Sequence, residues 1–167
     1  MDMSKISAGK DLPHDFNVVI EIPAQSDPVK YEVDKESGAL LVDRFIGTSM
    51  RYPANYGFIP QTLGDDGDPV DVCVITPFPL LAGSVIRCRP LGDMNILAVP
   101  VQKLTPRYNK IQTIDDVPED YLAQIRHFFE HYKDLEKGKW AKVSGWTGPE
   151  EACKVIMKGV EAYNNAK

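Results

Sequence analysis

The run Asp66-Gly67-Asp68-Pro69-Val70-Asp71 places three carboxylates within six residues, around a glycine and just ahead of the β-branched stretch Val70 to Ile75. Gly67 can adopt backbone conformations closed to other residues, and Pro69 fixes φ and removes a donor, so the spacing predicts a tight, rigid turn feeding a strand. Carboxylates held so close repel one another unless protons or cations lie between them, and hard divalent ions such as Mg²⁺ take oxygen ligands from clusters of this kind. An isolated acidic loop is more often a solvated turn. The chemistry therefore depends on what the rest of the chain brings to this one.

Two further carboxylates and a lysine come from strands. Residues 17–22 read as a strand, with Glu21 on the face opposite Val18, Ile20 and Ile22; in the next strand, Val29 to Val33, Lys30 and Glu32 share the face opposite Tyr31 and Val33. One face thus offers Glu, Lys and Glu, a mixture that the solvated side of a sheet also carries. A third strand, Ala39 to Phe45, follows a Gly38 placed to close a hairpin. The block from Met50 to Thr62 holds two tyrosines, two prolines and a glycine, too rigid for a linker and too aromatic for disorder. Tyr52 and Tyr56 are either wedges packing this connection on the core or hydroxyls held near an anion.

More strands are expected at Val70 to Ile75, Ser84 to Arg89 and Ile96 to Val101, with proline and glycine punctuation between them. Many short strands of this type predict an α+β fold, mainly β: a small closed antiparallel barrel, OB-like, with two packed α-helices. The first helix starts at Asp116-Val117-Pro118-Glu119, with Asp as cap, and its apolar period runs from Tyr121 through Tyr132 and Leu135 to a stop at Gly138. Along its edge His127, His131 and Asp134 form a polar stripe, more polar than solubility requires. The second opens at Thr147-Gly148-Pro149-Glu150.

Composition limits the alternatives. The 167 residues suit a single domain spanning 1–167, able to build a core without disulfides. A net charge of −5 argues against nucleic-acid and membrane-surface binding, which want a basic face. Cys73, Cys88 and Cys153 are odd in number and lack metal-ligand spacing, which reads as free thiols in a reducing compartment. The amino-terminal residues have no apolar signal core, and a cytoplasmic location is expected.

The chain resembles the bacterial family I soluble inorganic pyrophosphatases from Ala8-Gly9-Lys10-Asp11-Leu12-Pro13 almost to its end. The family signature Asp-Gly-Asp-Pro-Val-Asp stands unbroken at 66–71, and the blocks at 18–24, 30–32, 42–45, 52–60 and 127–140 follow in order. The resemblance implies hydrolysis of pyrophosphate to two phosphates by an activated water, with several Mg²⁺ per subunit and Mn²⁺ or Zn²⁺ as substitutes. It implies Glu21, Glu32, Asp66, Asp68, Asp71 and Asp93 as metal ligands, and Lys30, Arg44, Tyr132 and Lys133 as phosphate-binding groups. Tyr56 matches a tyrosine at the water or phosphate site, and Asp68 is assigned as the carboxylate that accepts the proton or orients the water. The residue types agree, since a carboxylate nest can hold a polyanion only through bridging cations. In similar bacterial enzymes the helix stripe joins trimers into a homohexamer.

One place departs from the family. After Leu91-Gly92 the family carries a longer acidic loop with two aspartates and a lysine, whereas here Asp93-Met94-Asn95 leads directly into Ile96. Asp93 matches the second aspartate and Asn95 takes the lysine position. The intactness of the other blocks favours a further mobile segment between Gly92 and Asp93 over a true deletion. Two other readings compete. An OB-type nucleic-acid binder would need a basic groove, and a calcium-binding EF-hand would need a closing Glu and a flanking helix where proline and a strand follow.

Overall fold

The computed structural model describes residues 1–167. Seven strands form: β1 (Phe16–Ile22), β2 (Val29–Val33), β3 (Leu40–Phe45), β4 (Asn55–Phe58), β5 (Asp71–Val74), β6 (Val85–Gly92) and β7 (Ile96–Pro100). Five of them close a barrel in the order β1-β4-β5-β7-β6, sealed by β6 on β1, while β2 and β3 make a separate two-stranded sheet. All pairs are antiparallel except β5 with β7. Two helices, α1 (Glu119–His131) and α2 (Pro149–Asn165), pack on the barrel.

The alternation of β1 sets the two sides of the core. Phe16, Val18 and Ile20 point to the half shared with Val72, Val74, Ala98 and Ile156 of α2, while Val19 faces outward onto Val33 and Phe58. The other half gathers Ile22, Tyr52, Leu97 and Val99 under Ile125, Phe128 and Phe129 of α1. Tyr52 is its hub, with ring centroids 4.5 Å from Phe128 and 5.2 Å from Tyr56. Burying each of these large rings stabilises the fold by about 1.5–3 kcal/mol. Tyr52 is therefore the wedge of the two alternatives considered for it.

Three expectations from the sequence change. The Met50–Thr62 block contains a strand, β4, which prolines and a glycine disguise; a Cβ on Gly57 would lie 2.0 Å from the Val19 carbonyl, so only glycine lets β4 approach β1. Helix α1 ends at His131 with Tyr132 as its cap, about two turns before the expected stop at Gly138, and Leu135 stands 72% exposed. Asp116 does not cap α1. Its side chain accepts from the Gln112 and Thr113 amides and closes the single 3₁₀ turn ahead of the helix. Between β6 and β7, Gly92 pairs with Leu97, and Asp93 bridges Thr147 by two backbone bonds of 3.1 and 2.7 Å.

Candidate active site

The acidic turn is built as its residues require. Gly67 takes φ +83 at the tip, and the Asp66 carboxylate accepts the Asp68 amide at 3.0 Å. The Gly64 amide donates to the Asp68 carbonyl at 2.7 Å. At the base, the Thr62 hydroxyl donates to the Ile59 carbonyl at 2.6 Å and accepts the Val70 amide at 3.0 Å. The turn therefore delivers Asp66 and Asp68 to solvent at one rim and Asp71 to the start of β5, half-buried.

Irregular pairing aims the other groups. The β1/β4 ladder steps from Ile20–Gly57 to Ile22–Tyr56, so Glu21 is the extra residue of a bulge, and bulges re-aim side chains. Its carboxylate is only 8% exposed and accepts the Val33 amide of β2 at 2.7 Å. The β2/β3 ladder also slips, pairing Lys30 with Arg44 and Tyr31 with Val42, which leaves Asp43 as the bulged residue. Two cations thus stand directly opposite each other across a strand pair, an arrangement that is destabilising without an anion between them. Asp43 supplies one, 3.0 Å from Lys30 and 4.0 Å from Arg44.

These parts meet in a cleft of about 100 Å³ lined by Glu21, Lys30, Glu32, Tyr56, Asp68 and Asp71. A second chamber shares Tyr56 and Asp71 and adds Tyr132, Asn95 and Lys142. Burial pushes the Glu21 carboxyl up to about 7, with Asp71 and Glu32 adding repulsion and the Val33 amide opposing. Burial likewise lifts Asp71 to about 6, opposed by the Tyr56 hydroxyl turned toward it and reinforced by Asp66 and Asp68. The Tyr56 phenol is raised well above its ordinary value, first by burial and then by Asp71. It stays protonated and keeps an O–H to donate.

The acids line the cleft from different walls, and no three of them converge closely enough to hold one ion. The donor set nevertheless fits divalent cations. Half-buried and buried carboxylates that raise one another's pKa have oxygen donors, excess negative charge and a desolvation cost that a hard cation relieves. Asp93 lies apart from Glu21 and Lys30, in an adjoining groove with Asp66, Asp71 and Asn95, its carboxyl raised by burial and by Glu151. Tyr132 stacks on Phe128 at the cleft edge, and the Lys133 amine lies 5.4 Å from its ring centroid. Sequence reasoning missed Lys35, which also lines the main cleft, and the carboxylates Asp43 and Glu136 that pair with the two β-strand cations. Lys35 sits in the β2–β3 turn, where a lysine reads as a solvated tip.

The inorganic pyrophosphatase family model matches residues 18–164. The chain belongs to the inorganic pyrophosphatase family. It is 60% identical to the inorganic pyrophosphatase of Ralstonia nicotianae, covering 98% of this chain and 99% of that protein. The Escherichia coli K12 inorganic pyrophosphatase is 57% identical, covering 99% of each. The inorganic pyrophosphatase structure from Thermus thermophilus superposes with a TM-score of 0.90 at 38% identity, over 98% of this chain and 99% of that one. A chain from Anaplasma phagocytophilum, described as an inorganic phosphatase, reaches 0.93 at 44% identity over 96% and 99%. The expected resemblance to the bacterial family I enzymes and the OB-like barrel are both borne out. The Ralstonia alignment extends over 173 positions, more than the 167 residues present here, so that pyrophosphatase carries residues without a counterpart in this chain. Membership in the pyrophosphatase family implies a divalent metal cofactor.

Proposed function

We propose that the protein hydrolyses inorganic pyrophosphate to two orthophosphates, using several Mg²⁺ ions per subunit, with Mn²⁺ or Zn²⁺ able to replace them. The observation that carries this reading is the meeting of opposite charges in one cleft, where Glu21, Glu32, Asp68 and Asp71 stand with Lys30 and Lys35, and Arg44 is the cross-strand partner of Lys30. Glu21, Glu32, Asp66, Asp68 and Asp71 would hold the metals, with Asp93 contributing from the adjoining groove. Bound there, divalent ions neutralise pyrophosphate and acidify the attacking water. Asp68, exposed at the rim, accepts the water proton. Lys30, Arg44 and Lys133 neutralise the outer phosphate oxygens, and the Tyr132 and Tyr56 hydroxyls donate to them. Because the Tyr56 phenol is held protonated by burial, it remains a donor throughout the pH range of the reaction.

Phosphate release from pyrophosphate by the purified protein, measured with excess Mg²⁺ and again after EDTA, tests the proposal. Activity that requires the metal is the expected result; no release in either condition overturns it. An oligonucleotide-binding role finds little support. The chain carries a charge of −5, and Lys30 and Arg44 each pair with a carboxylate.

The same reading places the protein in the cytoplasm as a homohexamer built as a dimer of trimers. No helix is long and apolar enough to cross a membrane. The cysteines are free, two of them buried. For the assembly, the His127 and His131 rings on α1 lie 4.6 Å apart at a tilt of 41°, and His131 Nδ1 lies 2.7 Å from Asp134. Histidines gain charge in the mildly acidic range, and two imidazolium rings this close repel. Light scattering should give a hexamer at pH 7.5 and smaller species near pH 5.5. A monomer at neutral pH and micromolar concentration would refute the assignment.

A further inference from the structure

Arg44 is held in an unbalanced way. Its Nη1 alone meets both oxygens of the Glu136 carboxylate, at 2.6 and 2.7 Å. Its Nε is closed off from solvent with no hydrogen-bond partner, the Asp43 oxygen being 4.0 Å away. A guanidinium binds an oxyanion best when two of its nitrogens face two oxygens, and a buried N–H left dry costs about 1–3 kcal/mol. One filled corner beside one dry donor describes a site occupied by a smaller anion than it can accommodate. Glu136 is 92 residues away in sequence, on the turn that follows α1, with its side chain 16% exposed and only a distant second partner, Lys139 at 3.9 Å. Once Glu136 has left, pyrophosphate or phosphate, with oxygens on several sides, can meet Nε as well as Nη1. The Glu136 carboxylate, with both oxygens on Nη1, does not.

We propose that Glu136 is a built-in competitor for phosphate at Arg44, a positioning residue that occupies the guanidinium between turnovers and weakens its hold on orthophosphate. The inference rests on the reading of Arg44 as a phosphate-binding group. Pyrophosphate carries more charge than either product, so it displaces the carboxylate more readily than orthophosphate does. Returning to Arg44, Glu136 helps to expel the product and carries its turn with it. The residue thus sets the ratio between substrate and product affinity.

Titration calorimetry of inorganic phosphate into the Mg²⁺-loaded protein tests this. Glu136→Gln keeps the size and one acceptor oxygen but removes the charge, and it should tighten phosphate binding by about twofold to fivefold, within the range of a partly screened ion pair. In turnover assays KM and kcat should fall together, because product leaves more slowly. Glu136→Asp, which withdraws the carboxylate by one methylene while keeping its charge, should tighten binding to a smaller degree. A merely structural role predicts the opposite sign, since a loosened turn would weaken phosphate binding. Unchanged or weaker binding in both variants overturns the proposal. Arg44→Gln separates the two levels: if it leaves phosphate affinity unaltered, the assignment of Arg44 itself fails. If Arg44→Gln weakens binding and the Glu136 variants do not tighten it, only the competitor role fails.

Discussion

Asn in place of Asp68 is expected to lower pyrophosphate turnover by about 10²- to 10⁴-fold at saturating Mg²⁺, the contribution of a well-placed general base. The fold should be untouched. Asp68 is exposed, and what it gives the acidic turn comes from its backbone: its amide donates to Asp66 and its carbonyl accepts from Gly64. An Asn side chain keeps the shape and loses the charge and the proton affinity. Phosphate release and thermal melting of the same preparation check both halves. Turnover near that of the wild type would move the role to another acid, with Asp71 next in line because it lies in the same cleft beside Tyr56. A large fall in melting temperature would instead show that the turn depends on the carboxylate.

The ease with which Asp68 could be chosen from sequence reflects how local its setting is. Asp66, Asp68 and Asp71 lie on one turn whose glycine and proline announce its geometry. Glu21 was legible as a residue on a strand face, but its burial was not, because a bulge between Ile20 and Ile22 has no signature in single-residue propensity. The same holds for Lys30 and Arg44, whose cross-strand confrontation follows from the slip at Asp43. Glu136 was invisible for another reason. The apolar period of α1 appeared to continue through Leu135, which would have put Glu136 on a helix, whereas the helix stops at His131 and a turn carries Glu136 back to β3. Period identified both helices and the barrel strands other than β4. Register, which depends on long-range pairing, decided which of their charges meet.

Glu21 yields the second large effect, on stability. Its carboxyl titrates near 7 in the fold against about 4.5 when unfolded, so between those values the folded state holds a proton that the unfolded chain has released. Stability must then fall as pH rises through this window, the reverse of the usual paired carboxylate. Asp71, lifted from 3.8 to about 6, acts in the same direction over a lower window. The two repel each other, so their effects are not independent, and a combined loss of roughly 2–3 kcal/mol between pH 5 and pH 8 is expected for the metal-free protein. Glu21→Gln keeps an oxygen to accept the Val33 amide and carries no charge to desolvate. In EDTA at pH 8 it should melt about 4–10 °C above the wild type, and the difference should shrink at pH 5, where Glu21 is already protonated. Mg²⁺ should reverse the order, because the cation relieves the wild-type carboxylates and finds one ligand fewer in the variant. Turnover should fall at the same time, so that the substitution exchanges activity for metal-free stability. Thermal melts of both proteins at the two pH values, with EDTA and with Mg²⁺, make the comparison. Parallel curves for the two proteins in EDTA would show that Glu21 is ionised in the empty cleft and that another group carries the cost of crowding the acids together.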